Sequence, residues 1–333
     1  MGLAEISLFW YSRKFAVKKL IFMKIVFCGS SDFSLRVLEG MLENRTRPCL
    51  VITTPDRPKG RGYGVKPTPV KQYCERISLD CISPESLTDK SFLAVLQTYA
   101  PDLIVVASYG KIIPRAMLDL PDCLPIGIHP SLLPAFRGAA PIQRAILNGE
   151  KETGVSLFKI VKKLDAGPVL LQKKVDISAD DDYFTLSRKL EQVSLRAFSE
   201  SLNLICSGKY SFSPQDEGKA TYAAKIEKNE GEIDWQLSSR NIADKIRALK
   251  AWPVAYAFYK QKRVQILEAK ALEGSVSALP GEIVAAEKNH FSVACGQGTL
   301  KISLLKPEGK KEMSAESFIC GYRIKKGSCF AQG

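Results

Sequence analysis

Histidine is almost missing from this chain of 333 residues, which holds only His129 and His290. Two imidazoles and no Cys-x-x-Cys pair among nine scattered cysteines argue against an ordinary structural zinc site. The odd cysteine count and the absence of paired spacing also argue against a disulfide framework and for a reducing compartment. No apolar run approaches the ~18–20 residues needed to span a bilayer. No Gly-x-Gly-x-x-Gly follows the first apolar run, where Gly29-Ser30-Ser31 stands instead, so a nicotinamide site is not indicated. Low-complexity stretches are lacking too, which excludes a wholly disordered chain.

What is present suffices for two domains. The chain is 45% hydrophobic and 25% charged, and its 333 residues exceed the length of one ordinary domain. Its formal charge of +13 divides into +3 over residues 1–22, +4 over 23–208 and +6 over 209–333. Diffuse basicity suits an anionic partner such as a nucleic acid, although a soluble enzyme that is simply basic accounts for it equally well. Residues 1–22 are basic and mixed, carry Glu5 and lack a small-residue cleavage site, so they read as an N-terminal extension ahead of Met23 rather than as a secretory signal or presequence.

From Met23 onward, short apolar runs alternate with amphipathic stretches. IVFC (25–28), CLVIT (49–53) and LIVVAS (103–108) have the character of strands buried on both faces, whereas 33–44 and 90–100 have helical spacing. This βαβ alternation predicts a doubly wound, three-layer α/β domain over residues 23–208, closed by a helix at 185–208. Residues 209–228 read as a polar linker. Beyond them, after one more helix (238–251), short β-rich runs separated by turn residues predict a smaller antiparallel sheet or barrel over 229–333.

Chemistry concentrates between Ile126 and Arg144, IGIHPSLLPAFRGAAPIQR. An apolar run ends at His129 and passes into a Pro-Ser-Leu-Leu-Pro turn. In α/β sheets ligands bind at the carboxyl ends of strands, which would aim His129 at the substrate crevice. Lys163-Leu164-Asp165-Ala166-Gly167 forms a turn able to bring a carboxylate beside that ring, where it would hold the tautomer and favour the charged imidazole. Taken singly, a histidine such as His129 is more often a hydrogen-bonded, partly buried side chain, and Asp165 more often a turn residue. Cys123, near the motif, reads as packing.

The stretch HPSLLPAFRGAAPIQRAILNGEKETGVSLFKIVKKLDAGPVL resembles the core of the folate-dependent formyltransferases. PDRPKGRG (55–62), TYAAKIEKNEGEIDW (221–235), AWP (251–253) and residues 295–327 extend the resemblance over nearly everything from Met23 to Phe330. It implies a Rossmann-like formyltransferase domain followed by an OB-like β-barrel. It also implies transfer of the formyl group of 10-formyltetrahydrofolate to the amino group of methionyl-initiator tRNA, without a metal, by a cytoplasmic monomer. His129 and Asp165 match the family's catalytic pair. Ser131, Leu132, Leu133 and Pro134 match its folate-binding turn, and Ser108, Tyr109, Gly110 and Ile112 match the loop lining the pterin pocket. Arg61, with Arg57 and Lys59 beside it, matches the loop arginine that engages the tRNA acceptor end. Lys66 and Lys71 add charge to the same segment, and Lys310-Lys311 and Lys325-Lys326 could extend the contact.

One position departs from the family pattern. Gly127 stands where the family has an asparagine that would donate to the developing oxyanion, and losing such a donor costs about 100–1,000-fold in turnover in other enzymes. With Gly127 as a lesion, a tRNA- or folate-binding homologue with impaired catalysis is one alternative; a formyltransferase acting on an amino sugar or nucleotide precursor, whose relatives share the His and Asp motifs, is another.

Overall fold

A computed structural model describes residues 23–58 and 65–331. Two compact units emerge among the described residues: one holds 23–58, 65–139, 152–176 and 188–222, the other 140–151, 177–187 and 223–331. The helices are α1 (Asp32–Glu43), α2 (Pro69–Arg76), α3 (Lys90–Tyr99) and α4 (Arg115–Leu118). They continue with α5 (Pro141–Leu147), α6 (Tyr183–Ser207), α7 (Ser239–Ala248) and α8 (Ala315–Tyr322).

The first unit is built on β1 (Ile25–Gly29), β2 (Leu50–Ile52), β3 (Cys81–Ile82) and β4 (Leu103–Ala107). Three more strands, β5 (Leu124–His129), β6 (Glu152–Lys159) and β7 (Val169–Asp176), complete a seven-stranded sheet in the order β7-β6-β5-β4-β1-β2-β3. Strands β1 to β5 run parallel, and β6 and β7 are added antiparallel. The expected α/β class is thus observed, and its cause is burial on both faces. Val26, Cys28, Leu50, Ile52 and Ile104 pack on one side against Phe92 and Leu96 of α3 and Met117 of α4. Side chains alternate along a strand, so Ile25, Phe27 and Val51, also buried, take the other face. On that side α1 starts at a Ser31 cap, buries Val37, Leu38 and Met41, and lies so close to α6 that Gly40 has no room for a β-carbon beside Leu195. From β1 the chain goes out to β2 and β3 and returns to β4 on the opposite flank of β1, leaving a crevice at the carboxyl ends of β1 and β4.

The second unit carries β8 (Tyr256–Tyr259), β9 (Lys262–Leu272), β10 (Ile283–Ala286), β11 (Phe291–Ala294), β12 (Thr299–Pro307) and β13 (Met313–Ser314). They form an antiparallel sheet in the order β8-β9-β12-β11-β10, with β13 on β12. Ile242 and Ile246 of α7 sit in its core beside Trp235, Val264 and Ile302. The C-terminal segment joins the two open edges. Ile283 N donates to Ser328 O (2.7 Å) and Phe330 N to Gly281 O (2.8 Å) on one side, while Ala331 N donates to Phe258 O (2.8 Å) on the other. The curled sheet is thereby covered at both edges, which removes templates for strand addition. Among the described residues no helix is long and apolar enough to cross a membrane.

Phe330 is the anchor of that closing segment. It is 3% exposed and its ring meets Trp235, Tyr259 and Phe291 at centroid distances of 5.6, 5.3 and 6.0 Å. Phe330→Ala should lower stability by about 3–5 kcal/mol, read as a shifted denaturant midpoint for the second unit. A loss below about 1 kcal/mol would show that the segment is not part of the core.

Candidate active site

His129 is the last residue of β5 and is buried, 6% exposed. The register pairs Ala107 of β4 with Ile128 of β5, so Ser108 and His129 emerge side by side at neighbouring strand ends. The turn that follows is fixed from within. Ser131 Oγ donates to Ala135 O (2.6 Å), and the Leu133–Pro134 peptide is cis. Ser156 Oγ donates to Ser131 O (2.7 Å) and accepts from Leu133 N (2.9 Å), while Gln172 Nε2 reaches Leu133 O (2.8 Å). Ser131 and Leu133 are buried, so much of this turn is packed rather than presented to solvent.

Both ring nitrogens of His129 face oxygen. Nε2 lies 2.8 Å from Phe136 O, and a carbonyl only accepts, so Nε2 carries a proton. Nδ1 lies 3.7 Å from Asp165 Oδ2, beyond ordinary hydrogen-bond length. That carboxylate oxygen also accepts from Gly138 N at 2.8 Å. Phe136 and Asp165 both sit in the left-handed region (φ 59° and 49°), as does Ser108 (φ 43°). Non-glycine residues there persist only where their surroundings hold them, and they cluster at functional sites. Gly167 closes the Asp165 turn, and a β-carbon would lie 1.7 Å from Lys159 O, so only glycine fits.

A cleft of ≈ 390 Å³ opens at the crevice between β1 and β4, lined by Ser30, Ser31, Thr54, Arg57 and Ser108–Lys111. Ser34, which the sequence reading passes over, ties its two walls together. Its buried hydroxyl donates to Ala107 O (2.6 Å) and accepts from the amides of Ser30 and Ser31 (both 3.1 Å). Arg57 reaches the rim, whereas Lys71 is drawn back into an ion pair with Asp56 (2.7 Å). Tyr109 packs into the core with its hydroxyl unpartnered, and Ile112 stands 82% exposed. Lys59 and Arg61 lie outside the described residues, as does the 1–22 extension. Burial, and after it Asp102, pushes the Cys123 thiol up to about 12, the reverse of an activated nucleophile. Among the described residues no three His, Cys, Asp or Glu side chains group as a metal ion requires.

Gly127 is not an open slot. Antiparallel pairing of β5 with β6 sets it opposite Phe158, whose ring lies over it. A β-carbon at 127 would meet Phe158 Cε1 at 2.4 Å and Cζ at 2.6 Å. Cross-strand partners share a face, and so do residues two apart, so this ring stands on the same face as His129. Phe158 is itself buried (4% exposed) and has little room to retreat. Glycine and phenylalanine here form a size-matched pair.

A family model described as "Formyl transferase" matches residues 23–202, and one described as "Formyl transferase, C-terminal domain" matches 225–323. Methionyl-tRNA formyltransferase of Sulfurihydrogenibium sp. is 41% identical over 310 residues, covering 92% of this chain and 100% of that protein. The enzyme of the same name from Thermodesulfovibrio yellowstonii is 40% identical over 303 residues, covering 91% and 97%. Among solved structures, HypX from Aquifex aeolicus in complex with tetrahydrofolic acid superposes with a TM-score of 0.63 at 19% identity. That match covers 91% of this chain and 48% of HypX, so this chain spans about half of HypX, and the likeness is one of fold.

The packing over Gly127 makes a prediction about stability. Gly127→Asn alone should destabilise by about 1–3 kcal/mol through overpacking. Adding Phe158→Ala should restore part of that loss, giving a coupling of about 0.5–3 kcal/mol in a double-mutant cycle. Additive denaturation data would show that the two positions do not compete for the same space.

Proposed function

The chain belongs to the formyl transferase family, and from that premise we propose that it moves the formyl group of 10-formyltetrahydrofolate onto the amino group of methionyl-initiator tRNA. The observation that carries this reading is similarity over both domains, at about 40% identity, to two proteins named methionyl-tRNA formyltransferase along almost their whole lengths. A folate co-substrate is further supported by the tetrahydrofolic acid held by HypX, whose fold this chain shares. Neither alternative is favoured: the relatives with matching C-terminal domains carry the tRNA-directed name, and a loss of catalysis has only Gly127 to recommend it.

In this reading His129 is the proton donor and Asp165 its partner. Nε2 is spent on Phe136 O, which leaves Nδ1 as the reactive edge. The 3.7 Å gap to Asp165 leaves that edge free to meet an incoming acceptor. The uncharged amine attacks the formyl carbon, and a proton on Nδ1 stabilises the oxygen that becomes anionic. As the bond to the folate nitrogen breaks, the proton lost by the amine ends on that nitrogen, with His129 as the relay. Asp165 offsets the positive charge while the ring is protonated. With no side chain at Gly127 to donate, stabilisation of the oxyanion falls to His129.

The Ser131–Pro134 turn and the Ser108–Ile112 loop are assigned to the folate, and Arg57, Lys59 and Arg61 to the tRNA acceptor end. Phosphate contacts of this kind fix position and make binding salt-sensitive. We take the protein to act as a cytoplasmic monomer.

Purified protein given 10-formyltetrahydrofolate and charged initiator tRNA should yield formylmethionyl-tRNA at a rate well above the uncatalysed reaction. Binding of both substrates with no product would favour the non-catalytic alternative. Arg57→Ala should weaken tRNA binding and lower its log–log salt slope by about 1, with folate affinity unchanged. Equal losses of both affinities would remove Arg57 from the tRNA side.

A further inference from the structure

The polar segment that begins at residue 209 reaches back into the site. Gln215 Nε2 donates to Asp165 O (2.8 Å) and to Gly167 O (2.7 Å), using both of its hydrogens. Its Oε1 accepts from Arg137 Nε (3.0 Å) and Nη2 (2.8 Å). Arg137 is fully buried and also grips Glu217 at 3.1 and 2.9 Å, and Lys163 reaches the same carboxylate at 2.6 Å. These two cations hold the Glu217 carboxyl down at about 2. A few residues on, Thr221 Oγ1 accepts from Phe136 N (2.8 Å), Thr221 O from Arg137 N (2.9 Å), and Thr221 N donates to Pro134 O (3.2 Å).

One short segment therefore bonds both peptide arms that carry the reacting groups. The arm at 134–138 supplies the carbonyl that orients His129, and the arm at 163–167 supplies Asp165. Both arms bend through left-handed residues, Phe136 and Asp165, a conformation that needs outside support. The contacts are specific in type. The Gln215 amide must offer two donors to carbonyls and one acceptor to a guanidinium, which among side chains of that length only an amide does. A carboxylate would set oxygen against oxygen.

We propose that Gln215–Thr221 is a positioning strap for the formyl-transfer site, with Gln215 and Thr221 setting the separation of Asp165 from the His129 ring through the two arms they bond. The inference rests on the function proposed above for its kinetic consequence, although not for its geometric one. A strap of this kind would couple the chain leaving the catalytic domain to the chemistry, since any pull on residues 213–223 is felt at Asp165 and Phe136.

The test uses the full chain with Gln215→Glu, which keeps size and the Arg137 contact but removes the two donors, and Thr221→Val, which removes only the acceptor for Phe136 N. Two readouts are taken on folded protein: kcat and KM for both substrates, and the 15N resonances of the imidazoles. With only two histidines, His290 serves as an internal reference for His129. The expected result for Gln215→Glu is a fall in kcat of about 10²-fold, KM values nearly unchanged, and a shifted His129 resonance beside an unmoved His290. Thr221→Val should move the His129 Nε2 signal. Unchanged kcat with unshifted His129 signals in either folded variant would overturn the proposal, and so would a kcat loss matched by the unfolded fraction. If the wild-type protein forms no product, the assigned function fails, yet the resonance shifts still decide whether the strap holds the ring.

Discussion

The hydrogen bond from His129 Nε2 to Phe136 O settles how the rest of the site can work. In the proposed mechanism the carbonyl takes one ring hydrogen, so the proton available for chemistry is the one on Nδ1, next to Asp165. Phe136, whose carbonyl meets the ring, adopts a left-handed backbone angle. Phe136 is held in turn by Thr221, and Asp165 by Gln215 and Gly138. The groups proposed to react are thus few, and the network that fixes their directions is larger. Such preorganisation is how a site spends folding energy on orientation before substrate arrives.

The sheet delivers these groups for a simple topological reason. Parallel strands β1, β4 and β5 end on one side of the layer, and the return from β3 to β4 opens a crevice there. Ser34 holds the crevice walls by bonding both the turn after β1 and the end of β4. The second unit solves a different problem. Its open antiparallel sheet has two edges, and residues 328–331 pair with both while Phe330 fills the interior.

Much of this was legible in the sequence, for identifiable reasons. Buried parallel strands read as apolar runs, so β1, β2 and β4 were expected within a residue or two of where they lie. The proximity of His129 and Asp165 could be anticipated because a strand-end histidine and an Asp-x-Gly turn are local patterns. What stayed hidden depends on partners far along the chain. Gly127 looks like a vacancy until the antiparallel register brings Phe158 over it. Gln215 and Thr221 look like ordinary polar residues until their bonds to Asp165, Gly167 and Phe136 are seen. Arg137 gave no sign that a guanidinium could be fully buried, because the two groups that accept from it, Gln215 and Glu217, come from another segment. Ser34 is an N3 residue of a capped helix, and nothing local reveals its second bond to β4.

The central claim is that the Asp165 carboxylate, facing Nδ1 of His129, carries the chemical step rather than substrate binding. The direct measurement is the single-turnover rate of formyl transfer by Asp165→Asn, an isosteric change, with dissociation constants for folate and charged tRNA measured alongside. The account predicts a rate lower by about 10²–10⁴-fold with both affinities retained. A rate within about threefold of the wild-type protein, or a loss accounted for by weaker binding alone, would contradict it.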